Sequence, residues 1–334
     1  MSTPMILTDN LTKVYPGRIK AVDGVSIEVN EGEIYGFLGP NGAGKTTTIM
    51  MLITLVKPTA GRASVCGFDV VKHPAKVRES IGYVSQDVSV DENLTGRENL
   101  TLQGRFYHLP DDKLKRRVED VLNMVDLTDR ADDLVYTYSG GMRKRLDIAG
   151  GLIHSPKILF VDEPTLGLDI QTRRRIWDYI RHLKDEEGVT VFLTTHYMEE
   201  ADALCDRIAI IDYGRVKVEG RPNELKSKVG GDIINLRLSK VDETFIKRVE
   251  TLPFVEKVLP LQNSYNIVVD DGESSMPRIF DLANTMGVKI ESISMKRPTL
   301  DEVFLAYTGR ELRDEQSSRE QIFIDRIRMR RIRG

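Results

Sequence analysis

The most informative segment of this 334-residue chain reads Gly39-Pro-Asn-Gly-Ala-Gly-Lys-Thr46. It fits the pattern G-x4-G-K-[ST], in which backbone amides curl around phosphate oxygens and the next helix presents its positive end. A chance match in a chain of this composition has a probability on the order of 1%. The segment predicts a nucleotide-phosphate loop, with Lys45 on the β- and γ-phosphates and the Thr46 hydroxyl on Mg²⁺. The nucleotide-binding residues predicted here are Gly39, Pro40, Asn41, Gly42, Ala43, Gly44, Lys45, Thr46 and Thr47.

Strand-like and helix-like patterns alternate around this loop. Glu33–Gly39 is typical of a strand, and Thr46–Val56 is apolar enough for a buried helix. Farther along, the short apolar runs Lys157–Val161 and Val189–Thr194 suit strands that are buried on both faces of a parallel sheet. A helical pattern, Thr172–Lys184, lies between them. This order forms a βαβ unit and predicts an α/β fold.

A pair of carboxylates follows the first of these two runs. Asp162, at the end of a strand beside the phosphate loop, is predicted to hold Mg²⁺ directly or through water. Glu163 would face the attacking water and act as general base. An isolated Asp-Glu-Pro has about even odds of being only a strand-ending turn. Together with the upstream loop, the pair indicates a Mg²⁺-dependent nucleoside triphosphatase.

Tyr138-Ser-Gly-Gly-Met-Arg143 narrows the kind of triphosphatase. Ser139, Gly140 and Gly141 at a helix start make a second anion-ready terminus. A single-domain phosphotransferase gives no reason for it, whereas two protomers facing each other head to tail would use it. With these segments in this order, the chain resembles the ATP-binding cassette (ABC) ATPases. Their signature reads Leu-Ser-Gly-Gly-Gln, and here Tyr138 and Met142 replace its outer residues.

Four further residues match this family in its order along the chain. The resemblance implies that Tyr15 stacks on adenine and that Gln86 contacts Mg²⁺ and water and senses a membrane partner. It also implies that Asp169, in Gly167-Leu-Asp169, belongs to a loop crossing between protomers, and that His196 lies near the γ-phosphate. Each residue alone has an ordinary structural explanation. The whole ordered set favours the family role for all four.

Three longer stretches are similar to the daunorubicin-resistance type of ABC export ATPases: Thr137–Leu146, Thr194–Ala201 and Arg297–Phe304. This resemblance implies that two copies, or one copy and a homologous subunit, sandwich two ATP molecules. Each site would combine residues of one chain with Ser139 and Gly141 of the other. It also implies a separate multi-span membrane permease that the ATPase drives. The residues from the first chain would be Lys45, Thr46, Gln86, Asp162, Glu163 and His196.

Composition excludes several classes of function. The chain has 48 Lys and Arg against 51 Asp and Glu, a balance that argues against a whole-chain nucleic-acid binder, so no nucleic acid is expected. Its longest uncharged run, Val258–Val269, is shorter than the roughly 18 residues of a membrane span. Cys66 and Cys205 are too few for a disulfide framework. These features predict a cytoplasmic protein, which the resemblance places peripherally on the inner face of the cell membrane.

The rival function is a soluble ABC ATPase that acts on nucleic acid or ribosomes. Those ATPases carry two cassettes or long heptad coils, and this chain has one copy of each motif and no such coil. A regulatory cassette that binds but barely hydrolyses ATP is a third possibility, and Glu163 and His196 argue against it. The cargo stays open among drugs, lipids, ions and polysaccharides.

The sequence predicts three regions. An ABC nucleotide-binding domain spans residues 1–225, with a helical subdomain at about 90–155. A small α+β accessory domain spans residues 226–308, where the order βαββαβ is the ferredoxin-like pattern. The third region is a basic tail, 309–334. An extension without function is favoured for it over a lipid-binding segment by about two to one.

Three basic clusters are interpreted as solvated helix faces, at odds of roughly four in five. They are Lys113–Arg117, Arg143–Arg145 and Arg173–Arg175.

Overall fold

A computed structural model describes residues 4–240, 242–261 and 264–308 of the chain. The predicted basic tail, 309–334, lies outside the described residues. The chain divides into two compact units, with the boundary between Glu219 and Gly220. Each unit has its own sheet structure, and the two are described separately.

The first unit is mixed helix and sheet, as predicted. Its helices are α1 (Lys45–Leu52), α2 (Pro74–Ser80), α3 (Gly96–Phe106), α4 (Asp111–Met124), α5 (Gly140–Leu152), α6 (Ile170–Asp185) and α7 (Met198–Leu204). Its strands are β1 (Ile6–Tyr15), β2 (Ile19–Val25), β3 (Glu28–Val29), β4 (Ile34–Leu38), β5 (Ala60–Val65), β6 (Phe68–Asp69), β7 (Ile81–Val84), β8 (Ile158–Asp162), β9 (Thr190–Thr195), β10 (Arg207–Asp212) and β11 (Arg215–Gly220).

The central sheet has the strand order β11-β10-β4-β9-β8-β7. The pairs from β10 through β7 are parallel, and every residue of β4, β8 and β9 is buried. Strands covered on both faces need continuous apolar runs, which explains why these strands could be read from the sequence. The carboxyl ends of β4, β7, β8 and β9 therefore meet at one edge of the sheet.

A second sheet, with the order β2-β1-β5-β6 and β3 beside β1, is antiparallel. Between β7 and β8 the chain forms α3, α4 and α5 instead of strands. A capping box begins α3, where the Thr95 side chain accepts from the Glu98 amide and the Glu98 carboxylate accepts from the Thr95 amide. Helix α4 buries only one stripe, consisting of Leu114, Val118, Val121 and Leu122.

The helix after the phosphate loop is shorter than the predicted Thr46–Val56. It ends at Leu52, and Thr54 takes a φ of +70°, which no α-helical residue adopts. The amides of Leu55 and Val56 both turn back to the Met50 carbonyl. The helix therefore ends in a left-handed residue whose following amides pair with a carbonyl of the last turn, a common form of helix terminus.

The second unit contains α8 (Pro222–Val229), β12 (Asp232–Leu238), α9 (Glu243–Glu250), β13 (Val255–Leu261), β14 (Ser264–Val269), α10 (Gly272–Met286), β15 (Ile290–Lys296) and α11 (Leu300–Thr308). From β12 to β15 the order is βαββαβ, and the antiparallel sheet runs β13-β14-β12-β15. Phe245 of α9 and Ile279 of α10 pack with Ile234 and Ile267 of the sheet in one core. This topology confirms the predicted ferredoxin-like pattern. It could be predicted because apolar residues alternate in the strands and recur at helical spacing between them.

Candidate site for nucleotide hydrolysis

The predicted phosphate loop connects β4 to α1. Gly44 has a φ of +107°, and a Cβ there would come within 2.4 Å of the Ala21 carbonyl oxygen, so only glycine fits. Lys45 begins α1, and its Nζ donates to the carbonyls of Gly39 at 2.7 Å and Pro40 at 3.3 Å. Thr46 and Thr47 follow in the first helical turn, half-buried. The Lys45 side chain therefore crosses the loop and hydrogen-bonds to its first two residues.

The predicted acidic and histidine residues all follow strands that end at the same sheet edge. Asp162 ends β8, and its carboxylate accepts a hydrogen bond from the Thr194 hydroxyl of β9. The next residue, Glu163, donates its amide to the Thr194 carbonyl at 3.1 Å. His196 follows β9, and Gln86 follows β7. The fold therefore brings residues that are up to 110 positions apart in the sequence to one edge.

Glu163 lies between Lys45 and His196. The distance from Lys45 Nζ to Glu163 Oε1 is 3.1 Å, and the distance from His196 Nδ1 to Glu163 Oε2 is 3.0 Å. Burial raises the pKa of Glu163, but the hydrogen bond with His196 and the charge of Lys45 outweigh it, so the pKa of this carboxyl lies below its usual value. The carboxylate is therefore ionised at neutral pH.

The backbone of Glu163 is unusual as well. Its φ is +48°, in the left-handed region that costs a non-glycine residue energy. Strand β8 ends just before this residue, and the turn of the backbone directs the Glu163 side chain towards Lys45 and His196. No sequence pattern predicted this conformation.

The predicted signature residues are on another part of the unit, at the start of α5. Ser139 caps this helix by accepting from the Met142 amide at 3.3 Å, and Gly140 and Gly141 form the first turn. A Cβ on Gly141 would come within 2.4 Å of Thr172 Cγ2 in α6. Asp169 caps α6 through the Thr172 amide and hydroxyl, at 3.0 and 2.6 Å. The chain therefore brings Gly141 close to the turn of Asp169, and these contacts do not involve Lys45.

Tyr15, predicted to stack on adenine, is the last residue of β1 and is half-buried. The Lys13 ammonium lies 5.2 Å from its ring centre. This distance is within the range of a cation–π contact, and the stacking of Tyr15 on adenine stays a prediction.

The donors at the sheet edge fit ATP with Mg²⁺. Mg²⁺ prefers hard oxygen ligands, and the predicted set offers a carboxylate from Asp162, a hydroxyl from Thr46 and an amide oxygen from Gln86. Asp162 is only 1% exposed, and a buried carboxylate needs compensating charge. The glycine cradle and Lys45 supply the donors that a triphosphate requires.

Sequence reasoning missed a fully buried carboxyl next to this site. Glu200 of α7 is 0% exposed, and its Oε1 accepts from Thr165 Oγ1 at 2.8 Å and from Trp177 Nε1 at 2.9 Å. It thereby links the segment after Glu163 to α6 and to the helix after His196. The available signal in the sequence was the apolar Leu204 four residues on, which places Glu200 on the same helical face.

The interpretation of the basic clusters as solvated faces is wrong at several residues. Arg117 and Arg145 are half-buried and donate to backbone carbonyls at 2.9 and 2.7 Å. Lys144 is only 3% exposed, because it points into the unit. Arg173 donates to the Leu168 carbonyl at 3.0 Å, and its guanidinium lies 4.1 Å from the Tyr197 ring centre. Arg174 and Arg175 are exposed, as expected.

Comparisons with known proteins agree with this geometry. The family model described as ABC transporter matches residues 22–166, and the model of the C-terminal domain of DrrA1-3-like ATP-binding proteins matches residues 220–308. The chain is 44% identical to the daunorubicin/doxorubicin resistance ATP-binding protein DrrA of Streptomyces peucetius, over 95% of this chain and 96% of that one. It is 37% identical to the Nod factor export ATP-binding protein I of Ralstonia nicotianae, over 94% and 96%.

A solved structure is similar as well: a dimeric ATP-binding cassette in a post-hydrolysis state bound to ADP and phosphate. Its TM-score is 0.59 at 30% identity, over 65% of this chain and 98% of that one. The fold is that of an ABC ATPase. The chain belongs to the ABC transporter ATP-binding proteins, in the group of the daunorubicin-resistance ATP-binding proteins, and it is the ATP-hydrolysing subunit of an ABC transporter.

Proposed function

We propose that the chain drives export through a separate membrane subunit, and that Glu163 is the general base of its ATP hydrolysis. The observation that carries the chemistry is the buried contact of Glu163 with both Lys45 and His196. The names of relatives that serve drug resistance and Nod factor export support the direction of transport.

Phosphate binding is the task of the loop from Gly39 to Thr47. Its backbone amides and Lys45 would hold the β- and γ-phosphates, and Lys45 would exchange the Gly39 and Pro40 carbonyls for phosphate oxygens. Tyr15 would stack on adenine. Thr46, Gln86 and Asp162 would hold Mg²⁺, which neutralises charge on the phosphate oxygens.

Hydrolysis would proceed by attack of a water oxygen on the γ-phosphorus. The bond to the bridging oxygen of ADP breaks, and the water proton passes to the Glu163 carboxylate. The contact with His196 fixes the orientation of this carboxylate, and its lowered pKa keeps it ready to accept the proton. His196 would also lie near the γ-phosphate.

A second copy, or a homologous subunit, would complete each site. Ser139 and Gly140 are exposed, and the start of α5 offers free backbone amides for a phosphate. Because their contacts within the chain are with their own helix and with α6, these residues are suited to a partner's nucleotide. Asp169 would lie in the crossing loop. The similar cassette is dimeric, which supports the pairing of two such chains.

The membrane part of the transporter is proposed to be another protein. Across residues 4–308, apart from the three undescribed positions between them, no helix has the length and apolar character that a bilayer crossing needs. The ATPase would then work on the inner face of the cell membrane, attached to a multi-span permease. The permease would determine the cargo.

The test is to purify the tagged chain from gently solubilised native membranes and to identify what accompanies it. We expect a polytopic membrane protein, in a complex whose ATPase activity is lost in Glu163→Gln. Recovery only from the cytosol, with ribosomes or nucleic acid, would overturn the transport function and leave the ATP chemistry in place.

A further inference from the structure

Helix α5 carries two buried charges besides its first turn. Lys144 and Asp147 are 3% and 6% exposed, and Lys144 Nζ lies 3.6 Å from Asp147 Oδ2. Burial lowers the pKa of Lys144 and raises the pKa of Asp147. A buried pair of this kind costs desolvation energy that hydrophobic residues of similar size would avoid. Its presence therefore calls for an explanation beyond stability.

Both charges hold the segment that follows β7, residues 85–89, which we call the glutamine segment. Lys144 Nζ donates to the Ser85 carbonyl at 2.6 Å and to the Gln86 carbonyl at 3.4 Å. Asp147 Oδ1 accepts from the Ser89 hydroxyl at 2.6 Å and from the Ser89 amide at 3.3 Å. The two side chains therefore hydrogen-bond to opposite ends of the glutamine segment.

The neighbouring basic residues of α5 point elsewhere. Arg143 pairs with Glu92 and donates to the Tyr136 carbonyl. Arg145 donates to the Val125 carbonyl at 2.7 Å, at the end of α4. Among the three, Lys144 is therefore the one whose hydrogen bonds reach the glutamine segment, and Arg145 provides a matched comparison on the same helix.

We propose that Lys144 and Asp147 are positioning residues that fasten the glutamine segment to α5. Helix α5, which carries Ser139 and Gly141, then moves together with the backbone of Gln86. This inference rests on the proposed roles of Gln86 and Ser139. When Gln86 moves in response to the nucleotide in its own site, the movement is transmitted to Ser139 and Gly141, which complete the other nucleotide site.

The experiment separates positioning from stability by replacing the pair in two steps. Lys144→Met leaves Asp147 buried without its partner, and we expect lower stability and about 10-fold or greater loss of kcat. Lys144→Met with Asp147→Leu replaces the pair by apolar side chains, which restores stability. We expect kcat to stay low in this double variant, with the KM for ATP within about 2-fold of wild type.

Two further variants complete the design. Ser89→Ala removes one hydrogen bond from an exposed residue and should lower kcat to a smaller extent. Arg145→Met should alter stability and leave kcat close to wild type. Wild-type kcat in the stable double variant would overturn the inference, as would wild-type kcat in Lys144→Met. Glu163→Gln, assayed in parallel, reports on the proposed function itself: if it kept wild-type turnover, the base assignment would fail whatever the Lys144 variants do.

Discussion

Glu163 is the residue on which the proposed chemistry depends, and its setting explains how a weak base works there. The side chain is 8% exposed, yet it is stabilised as a carboxylate by Lys45 on one oxygen and His196 on the other. When Lys45 turns to a phosphate, the carboxylate loses part of that stabilisation and its proton affinity rises. The same contacts therefore hold the carboxylate in place and set its basicity.

Glu200 is a second buried carboxyl, with the opposite electrostatic setting. Burial raises the pKa of Glu200 above its unfolded value. Its contribution to stability is therefore full below the unfolded pKa of about 4.3 and is lost as the pH rises through the folded pKa. Glu200→Gln removes this titration. We expect the variant to gain stability relative to wild type as the pH rises, measured by urea unfolding at about pH 5 and about pH 8.

Glu199→Gln is the control for this measurement, because Glu199 is the adjacent residue and is exposed. Its difference from wild type should hardly change with pH. If Glu200→Gln and Glu199→Gln showed the same pH dependence, the Glu200 carboxyl would not titrate as its burial requires.

The sequence predicted the residues of the site better than their contacts. Lys45, Glu163 and His196 were found from motif order, and the structure places them within hydrogen-bonding distance. Lys144 and Glu200 were not found, because hydropathy assigns a charged residue to the surface unless something shows its partner. The Ser85 carbonyl and Trp177, to which they bind, are far away in the sequence, and the nearby Asp147 is itself a charged residue that hydropathy assigns to the surface.

At the scale of elements, the close approach of α5 and α6 connects the signature residues to the turn of Asp169. Gly141→Ala would push its Cβ to within 2.4 Å of Thr172 Cγ2. We expect a stability loss of about 1–3 kcal/mol and lower ATP turnover, because the cap of α6 must shift. Thermal unfolding and an ATPase assay measure the two effects.

Two variants make this prediction specific. A Cβ on Gly140 would lie 3.7 Å from Leu168, an ordinary contact, so Gly140→Ala should not destabilise the protein. Thr172→Ser removes the methyl group and keeps the hydroxyl for Asp169. Combined with Gly141→Ala it should restore stability. A double variant as unstable as Gly141→Ala alone would mean that the contact with Thr172 is not the cause.

Elements buried on both faces were readable from the sequence, and elements whose limits depend on local backbone geometry were not. The runs that became β8 and β9 are rich in apolar and β-branched residues, and every residue of both strands is buried. The early end of α1 depends on the positive φ of Thr54, and propensity alone gives no reason for it. The helical subdomain at about 90–155 was also predicted, and its helix α4 buries a single amphipathic stripe.

At the scale of the whole molecule, each of the two units has its own core. Phe245 is fully buried in the core of the second unit. Phe245→Ala should lower the free energy of unfolding of this unit by about 3–5 kcal/mol. The unfolding transition whose temperature ATP raises should stay unchanged. Calorimetry with and without ATP distinguishes the two transitions.

Phe280→Ala is the matched control, since Phe280 is in α10 of the same unit and is 48% exposed. It should leave both transitions nearly unchanged. If Phe245→Ala moved the ATP-sensitive transition equally, the accessory domain and the nucleotide-binding domain would unfold together, and the predicted division of the chain at about residue 225 would lose its thermodynamic meaning.

The most direct test of the account is the ATP turnover and the oligomeric state of Glu163→Gln, measured with Mg²⁺ and ATP beside wild type and Glu199→Gln. Loss of a general base should lower turnover by about 10²–10⁴ while ATP binding is kept. Since the bound ATP then persists, the variant should form the head-to-tail dimer more readily than wild type. Turnover near wild type would contradict the role of Glu163, and a monomer that binds ATP would contradict completion of the site by a second copy of this chain.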